Sequence, residues 1–586
     1  MSAYTDASLI MVPSGYKDGK LYSAKPTNGD GDFTFSRGTE ATRVNSAGLI
    51  EKARTNRLLQ SNNFNTTWGT GFSTLTSGQV GYDGTNDAWK IESTTIGGET
   101  RIRQSQTFTT GEVISLSVYM KKGNVNFGIV RTYAITGGGR AWFDLENGTV
   151  ATENSGINGS IKDVGNGWYR CSIWGVITTT GAVDIAPAPA DGDYLADAVG
   201  EFIYIQDSQL ESGLVATEYI ETTTSSVTVG ITDDLPRVDY SGGGCPSLLL
   251  EPSRTNLYTH SEYFDTYTQA NLTISTNATT SLEGLQNASK LVSSSGVSIK
   301  RIQPTITTSS ATDYIISAFV KKAEWDYFFI YGDGTLSSGQ QGIWDLENGT
   351  ITQGSGHSTI ESFGEGWYKI TWKATASGAG SASPRIGITD NSTGVNSTGD
   401  GTSGVFLYGL QIEEGSYSTS LIPTYGASVT RGADTSINYD NGNLPTAYPF
   451  TLYAEIDVID TNSGNVFSFL DSSQSSFYYT IEYFSNAWHI TSRPSGSTSR
   501  VSSTTAITSG THKLLGIYTG TTMTLYLDGT LIASGSNTQS FNTNINDLLL
   551  GQLRVVSDTG NRNSIKEAIV FNTELSSDEA IQLTTI

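Results

Sequence analysis

The chain has 586 residues, enough for three or four domains of ordinary size. Its 34 Lys plus Arg against 57 Asp plus Glu leave a net charge of −23, which repels a phosphate backbone and argues against a nucleic-acid partner. Aromatic residues reach 10% and charged residues only 16%, which excludes a disordered chain; with 65 Gly and 13 Pro the rest reads as short strands joined by turns, an all-β protein.

Residues 1–48 come first. They carry Gly, Lys and Asp in place of a clear strand ladder and are too short for their own core, so they read as an attachment segment that orders against another surface. MSAYTDASLIMVPSGYKDGK has no long apolar stretch of the secretory kind, and no apolar run reaches the ~18 residues that span a bilayer. The expectation is a chain made in the cytoplasm, without membrane insertion. Cys171 and Cys245 make no disulfide framework and no zinc set.

From residue 49 the chain repeats itself. Ile50-Glu51 ahead of Arg54-Thr55-Asn56 returns as Leu250-Glu251 ahead of Arg254-Thr255-Asn256. SVYMKK from Ser117 returns as SAFVKK from Ser317, WFDLENGT from Trp142 as IWDLENGT from Ile343, and GNGWYR from Gly165 as GEGWYK from Gly364. The order is kept and the shift stays near 200, so two copies of one domain occupy 49–230 and 249–432. Apolar and polar residues alternate in SLSVYM, GWYRCSIWGVI and EFIYIQDSQL, the pattern of half-buried strands, which makes each copy a β-sandwich or jelly roll. Asn147-Gly148 and Asn348-Gly349 read as hairpin turns with positive φ at both central residues. Residues 231–248 and 433–445 have the composition of linkers. Residues 446–586 supply eight further strands, a tight Asp528-Gly529 turn, and a closing helix with Ser576 and Glu579 at capping-box spacing.

LYLDGTLIASG, LLLGQLR and SIKEAIVFNTELSSDEAIQL resemble the concanavalin A-like, laminin-G-type jelly roll over 446–586. DFTFSRGTEATRVNSAGLIE, LPRVDYSGGGCPSLLLEPSRTNL and QIEEGSYSTSLIPTYGASVTRGAD resemble a family of modular phage virion proteins, whose repeated units look like carbohydrate-binding-module jelly rolls. That resemblance implies a tail- or head-fibre component on the virion surface, assembled in the host cytoplasm. Its partners would be other virion proteins and host-surface polysaccharide. By analogy with fibres it also implies a homo-oligomer, a trimer, anchored through its N-terminal part with the lectin-like domain outermost. A purely structural fibre or capsid-decoration protein is the alternative, and a glycan hydrolase comes third.

The enzyme reading rests on Glu455-Ile456-Asp457-Val458-Ile459-Asp460, which resembles the paired-acid strand of concanavalin-like glycoside hydrolases. Asp460 is shorter than the glutamate expected there, the strand opens its domain, and Phe450, Leu452, Ala454, Ile456 and Val458 claim the inward face. No catalysis is therefore expected. His260, His357, His489 and His512 sit in no catalytic motif and read as exposed loop or strand residues, while Cys171 reads as core. Sugars stack on rings and bond to polar side chains. Trp142 with Trp344, and Trp168 with Trp367, read as framework shared by both copies; rings found in one copy only, Trp89 and Trp325, are the better binding candidates. In the last domain Tyr478, Tyr479, Tyr483, Trp488 and Arg493 read as lining one binding face. No cofactor is indicated; the loops YGDGT from Tyr331 and DNSTGVNSTGDG from Asp390 offer oxygen atoms for a structural Ca²⁺, with solvated turns the simpler reading.

Overall fold

The alternation in each copy resolves into paired antiparallel sheets. The computed structural model describes residues 3–135, 138–337, 340–439, 442–459, 461–471, 477–552 and 563–586. In copy 1 one sheet runs, in spatial order, Ile157–Gly165, Trp168–Val176, Val113–Lys122, Phe202–Ser212, Ala88–Ser93 and Ser73–Gln79. The facing sheet runs Thr149–Glu153, Gly139–Asp144, Phe127–Thr132, Gly181–Ala188, Arg101–Gln106 and Gly69–Gly71. Copy 2 repeats both orders, with Ser358–Ser362, Trp367–Thr375, Asp313–Lys322, Gly404–Glu414, Ala288–Ser293 and Leu272–Thr279 in the first sheet. Its second sheet contains Thr350–Gln353, Gln341–Asp345, Tyr327–Tyr331, Arg385–Thr389, Gly296–Gln303 and Thr268–Ala270. Trp168 and Trp367 open equivalent strands. Ile114, Leu116, Val118, Met120, Cys171 and Ile173 fill the space between the copy 1 sheets, as period two requires.

The Asn-Gly turns differ from expectation. Only Gly148 and Gly349 have positive φ, at 68° and 64°. The Asp144 and Asp345 carboxylates each accept the N–H groups of the second and third residues that follow, at 3.0 Å, and this closes a longer loop in which asparagine keeps an ordinary backbone. At Asp528-Gly529 both residues have positive φ, 48° and 79°, as a two-residue turn demands.

The largest departure concerns the segments read as attachment and linkers. All three build the C-terminal sandwich. Leu9–Met11 pairs with Asn563–Phe571, and Phe33–Ser36 pairs with Thr435–Tyr439, which continues through Asp547–Leu550 into Ser463–Leu470, Tyr478–Phe484 and Ala487–Arg493. Ser247–Leu250 follows Leu9–Met11 along the same edge of Asn563–Phe571, whose opposite edge pairs with Phe450–Val458. Leu9, Met11, Leu21, Phe33, Phe35, Leu248 and Leu250 are buried in the same core as Phe450, Leu452 and Trp488. Short runs such as LIM, FTFS and SLLL carry too little pattern to show as strands until a distant partner supplies the ladder. Phe450–Val458 is accordingly central and does not open its sheet. The N-terminal segment and the lectin-like domain are one body, which corrects the expectation of an anchor at one end and a lectin at the other.

Two equivalent hairpins lock the sandwiches together. Thr42–Val44 with Ile50–Lys52 precedes copy 1, and Val238–Asp239 with Ser247–Leu250 precedes copy 2. Each docks on the sandwich after the one it introduces. Ile50 lies on copy 2 among Leu282, Phe319, Trp367, Tyr408 and Leu421, and beside it the buried Lys52 ammonium pairs with Glu262 and Glu283. Burial opposes the charge on Lys52, but the two carboxylates hold its pKa above the ordinary range; against the same burial, Lys52 and Arg54 hold Glu283 down to about 2. A second knot is wholly buried. Asp434 pairs with Arg37 at 3.0 Å and with Arg237, and Glu251 pairs with Arg237 and Arg431, each at 2.6 Å.

Candidate functional site

None of the rings proposed from sequence for the last domain forms a surface. Tyr479, Tyr483 and Trp488 are core residues, Tyr483 and Trp488 packing at 5.1 Å. Tyr478 points to the opposite face, buried with Ile437, Leu470 and Leu549, and half-buried Arg493 stands across from it. The two strands are adjacent as expected, but period two divides Tyr478 from Tyr479 and Tyr483. Trp89 also faces inward, its indole N–H donating to the Asn62 carbonyl at 2.8 Å. Trp325 is half-buried at the edge of the copy 2 core. His260, His489 and His512 are buried and not exposed, the His260 ring meeting the Gly111 carbonyl of the other copy at 2.9 Å, and His357 is half-buried with its ring 3.1 Å from the Gln341 carbonyl.

Glu455 and Asp457 lie on the face away from the core, as alternation dictates. Asp457 accepts from Thr511 at 2.6 Å and Lys566 at 2.8 Å. Glu455 stands across from Glu567, which accepts the Tyr4 hydroxyl at 3.1 Å and whose pKa is raised by burial. Asp460 lies outside the described residues. In the two loops considered for calcium, Asp333 is held by Arg385 at 3.1 Å, Asp390 accepts the Thr398 N–H, and hydrogen bonds led by those from Ser403 keep Asp400 below the ordinary carboxylate range. Among the described residues no three acidic, histidine or cysteine side chains gather as a metal set.

The outer faces of the two copies carry what sequence reading missed. In copy 1, Arg103, Asp184, Arg131 and Arg140 stand in register across four neighbouring strands. Arg103 grips Asp184 with two hydrogen bonds, 2.7 and 2.8 Å, while Arg101 and Arg131 share Glu99. The guanidinium carbons of Arg131 and Arg103 lie 3.6 and 4.3 Å from the Tyr133 ring centre. Arg140 stacks between Trp142 at 5.5 Å and Tyr194 at 4.4 Å. Copy 2 rebuilds the same place with other chemistry: Tyr331 lies in register with Gln341 and Arg385, beside Arg301 and Asp333.

Trp142 corrects the reading that pairs it with Trp344. In WFDLENGT and IWDLENGT it is Phe143 that matches Trp344, and both are core residues, whereas Trp142 matches Ile343 on the outside. A slip of one residue exchanges the two faces of a strand.

A second surface lies on the other sheet of copy 1, where copy 2 receives the first hairpin. Leu282, Phe319, Phe406 and Leu421 of copy 2 become Tyr82, Tyr119, Tyr204 and Tyr219, around Trp168. Tyr82 stacks on Tyr119 at 3.8 Å and donates to Asp207 at 2.9 Å. The substitution of four aliphatic or phenyl groups by tyrosine is the sequence signal that would have found it. Burial, reinforced by Asp87 and Asp83 against the Tyr82 hydrogen bond, raises Asp207 to about 7. Its ionisation therefore costs the folded state stability as pH climbs from about 4, the ordinary carboxylate value, towards 7. Asp207→Asn is expected to stabilise the protein by on the order of 1–3 kcal/mol at pH 8 and to be neutral at pH 4. Urea denaturation at the two pH values measures this, and an equal effect at both contradicts it.

No curated protein sequence matches the chain. Among solved structures, a sialidase carbohydrate-binding module of Ruminococcus gnavus bound to α2,3-sialyllactose is similar at 15% identity and a TM-score of 0.22, over 24% of this chain and 84% of that one. The binding domain of botulinum neurotoxin serotype D is similar at 14% identity and 0.21, over 25% of this chain and 38% of that one. A type C neurotoxin structure, described as depending on two ganglioside molecules for cell entry, is similar at 15% identity and 0.22, over 26% and 39%. The chain thus spans about two fifths of those toxin chains, and likenesses this remote carry no inference about its ligand. Residues 431–580 match the concanavalin A-like lectin/glucanase superfamily, so the C-terminal sandwich is a concanavalin A-like domain.

Proposed function

We propose that the chain is a non-catalytic glycan-binding protein of the phage-fibre type, whose two repeated sandwiches present recognition faces and whose concanavalin A-like domain closes the body. One observation supports this above the others. The inward rows of the two copies stay apolar, while the outward row changes from Arg131, Arg140, Trp142 and Asp184 to Tyr331, Gln341, Ile343 and Arg385. Ring stacks beside fixed polar groups are what sugar faces and hydroxyls require, and diversified loops and faces on one scaffold are how such scaffolds change ligand. The fibre assignment rests on the family resemblance. The buried knots favour a second reading, a rigid virion spacer. A glycan array with the full chain separates them: selective binding is expected, and a blank array together with immunogold labelling of particles leaves the spacer. Release of reducing sugar that disappears in Glu455→Gln would contradict the absence of catalysis.

A further inference from the structure

Arg131 and Arg140 of copy 1 stand directly opposite each other on neighbouring strands. Like charges in that position repel, and the repulsion is tolerated where an anion or carboxylate is shared. Arg131 has Glu99; Arg140 has no ion pair among the described residues, and the buried Nε atoms of both lack hydrogen-bond partners. Each residue is only 9% exposed, so water screens the pair poorly. Burial first, and Arg131 second, depress the Arg140 pKa, with Glu99 opposing them without forming an ion pair. The Nη2 atoms of the two side chains converge on Gly138, 3.4 and 3.9 Å from where a Cβ would stand. Four arginines and two carboxylates meet on this face in a chain of net charge −23, and the loop that carries Tyr194 adds Asp191 and Asp193 at its edge. Tyr194, 40% exposed, and Leu195 stand at its rim as apolar surface beside the charge.

Resting on the glycan-binding reading, we propose that this face binds a carboxylate-bearing sugar, with Arg131 and Arg140 sharing the carboxylate and Tyr194 packing against the ring. A guanidinium presents paired donors that match carboxylate geometry, and stacking on Trp142 and Tyr194 fixes the plane of Arg140 before the ligand arrives. Copy 2 has neutral Tyr331 and Gln341 at these two positions, and its own arginines, Arg301 and Arg385, stand elsewhere on the face with Asp333 held by Arg385. The duplicated faces would then take different sugars.

The test uses the full chain with tetra-galacturonate and 3′-sialyllactose, each beside its methyl ester, in titrations at 0.05 and 0.5 M salt. At least one acid sugar is expected to bind at least tenfold more tightly than its ester, and more weakly at high salt. Arg140→Gln and Arg131→Tyr, which install the copy 2 residues, are expected to lower that affinity at least tenfold; Arg140→Gln breaks no ion pair, and an unchanged urea midpoint shows that the variant is folded. An ester that binds as well as its acid, an acid sugar held equally by Arg140→Gln, or failure of both acid sugars overturns the proposal. Binding of neutral glycans in that last case leaves the broader reading standing, whereas a wholly blank glycan array removes both. Binding of sodium sulfate in the same titrations, with no acid sugar bound, identifies a simple anion site and also overturns it.

Discussion

Replacing Glu251 with alanine is expected to lower stability by about 3–5 kcal/mol, the cost of stranding a buried charge partner. The carboxylate takes Arg237 and Arg431 at 2.6 Å each and accepts the Ser420 N–H at 2.8 Å. All three side chains in the charge cluster are at most 1% exposed, so no water replaces the lost partner. Asp434, already shared by Arg37 and Arg237, would have to balance three guanidiniums. Such a loss is a large part of the 5–15 kcal/mol that holds an ordinary domain together, and corresponds to a fall in Tm of roughly 10 °C. The chain contains its own control. Glu51 is the equivalent residue of the first hairpin and pairs with Arg43 at 2.9 Å, but its side chain is 32% exposed. Glu51→Ala should cost less than about 1 kcal/mol. Calorimetry on both variants decides the matter: equal shifts would mean that the buried knot does not hold the sandwiches together.

The knot also explains which parts of the sequence were legible. The phrases that carry the family resemblance, FSRGTE, LPRVDY, LLLEPS and VTRGAD, contain Arg37, Arg237, Glu251, Arg431 and Asp434. They encode a joint, where any change strands a buried charge, and they say nothing of a ligand. The duplication was legible because hydrophobic alternation and turn residues survive in both copies. The recognition faces were not, for two physical reasons. Core and surface rings look alike in one sequence, since period two fixes that neighbours face apart without fixing which one faces in, as Tyr478 and Tyr479 show. An error of one position at Trp142 then paired a ring buried on the outer side of its sheet, beneath the loop of Asp193 and Tyr194, with a ring packed between the sheets. The attachment segment and the linkers failed differently: strands of three to five residues whose partners lie hundreds of residues away have no local signature.

A fragment of residues 446–586 alone is expected not to fold, whereas the same domain supplied with 1–36, 231–250 and 433–445 should. The fragment contains most of the strands seen in the sequence, but it loses both edges supplied from elsewhere. Without Leu9–Met11 and Ser247–Leu250, strand Asn563–Phe571 exposes its outer ladder; without Phe33–Ser36 and Thr435–Tyr439, so does Asp547–Leu550. Leu9, Met11, Leu21, Phe33, Phe35, Leu248 and Leu250 also leave the core, none of them more than 2% exposed in the intact chain. At about 1.5–3 kcal/mol for each buried side chain, their removal exceeds the stability of a domain of this size. The open edges that remain are templates for aggregation. Near-UV circular dichroism and urea titration of the fragment, and of one chain joining 1–36, 231–250 and 433–586 through Gly/Ser linkers, make the comparison. A cooperative transition in the isolated fragment would show that the borrowed strands only decorate a self-sufficient sandwich. A transition confined to the joined chain would show instead that the two ends of the sequence fold as one unit, so that any particle contact made by the N-terminal segment is made beside the concanavalin A-like domain and not at the far end of the molecule from it.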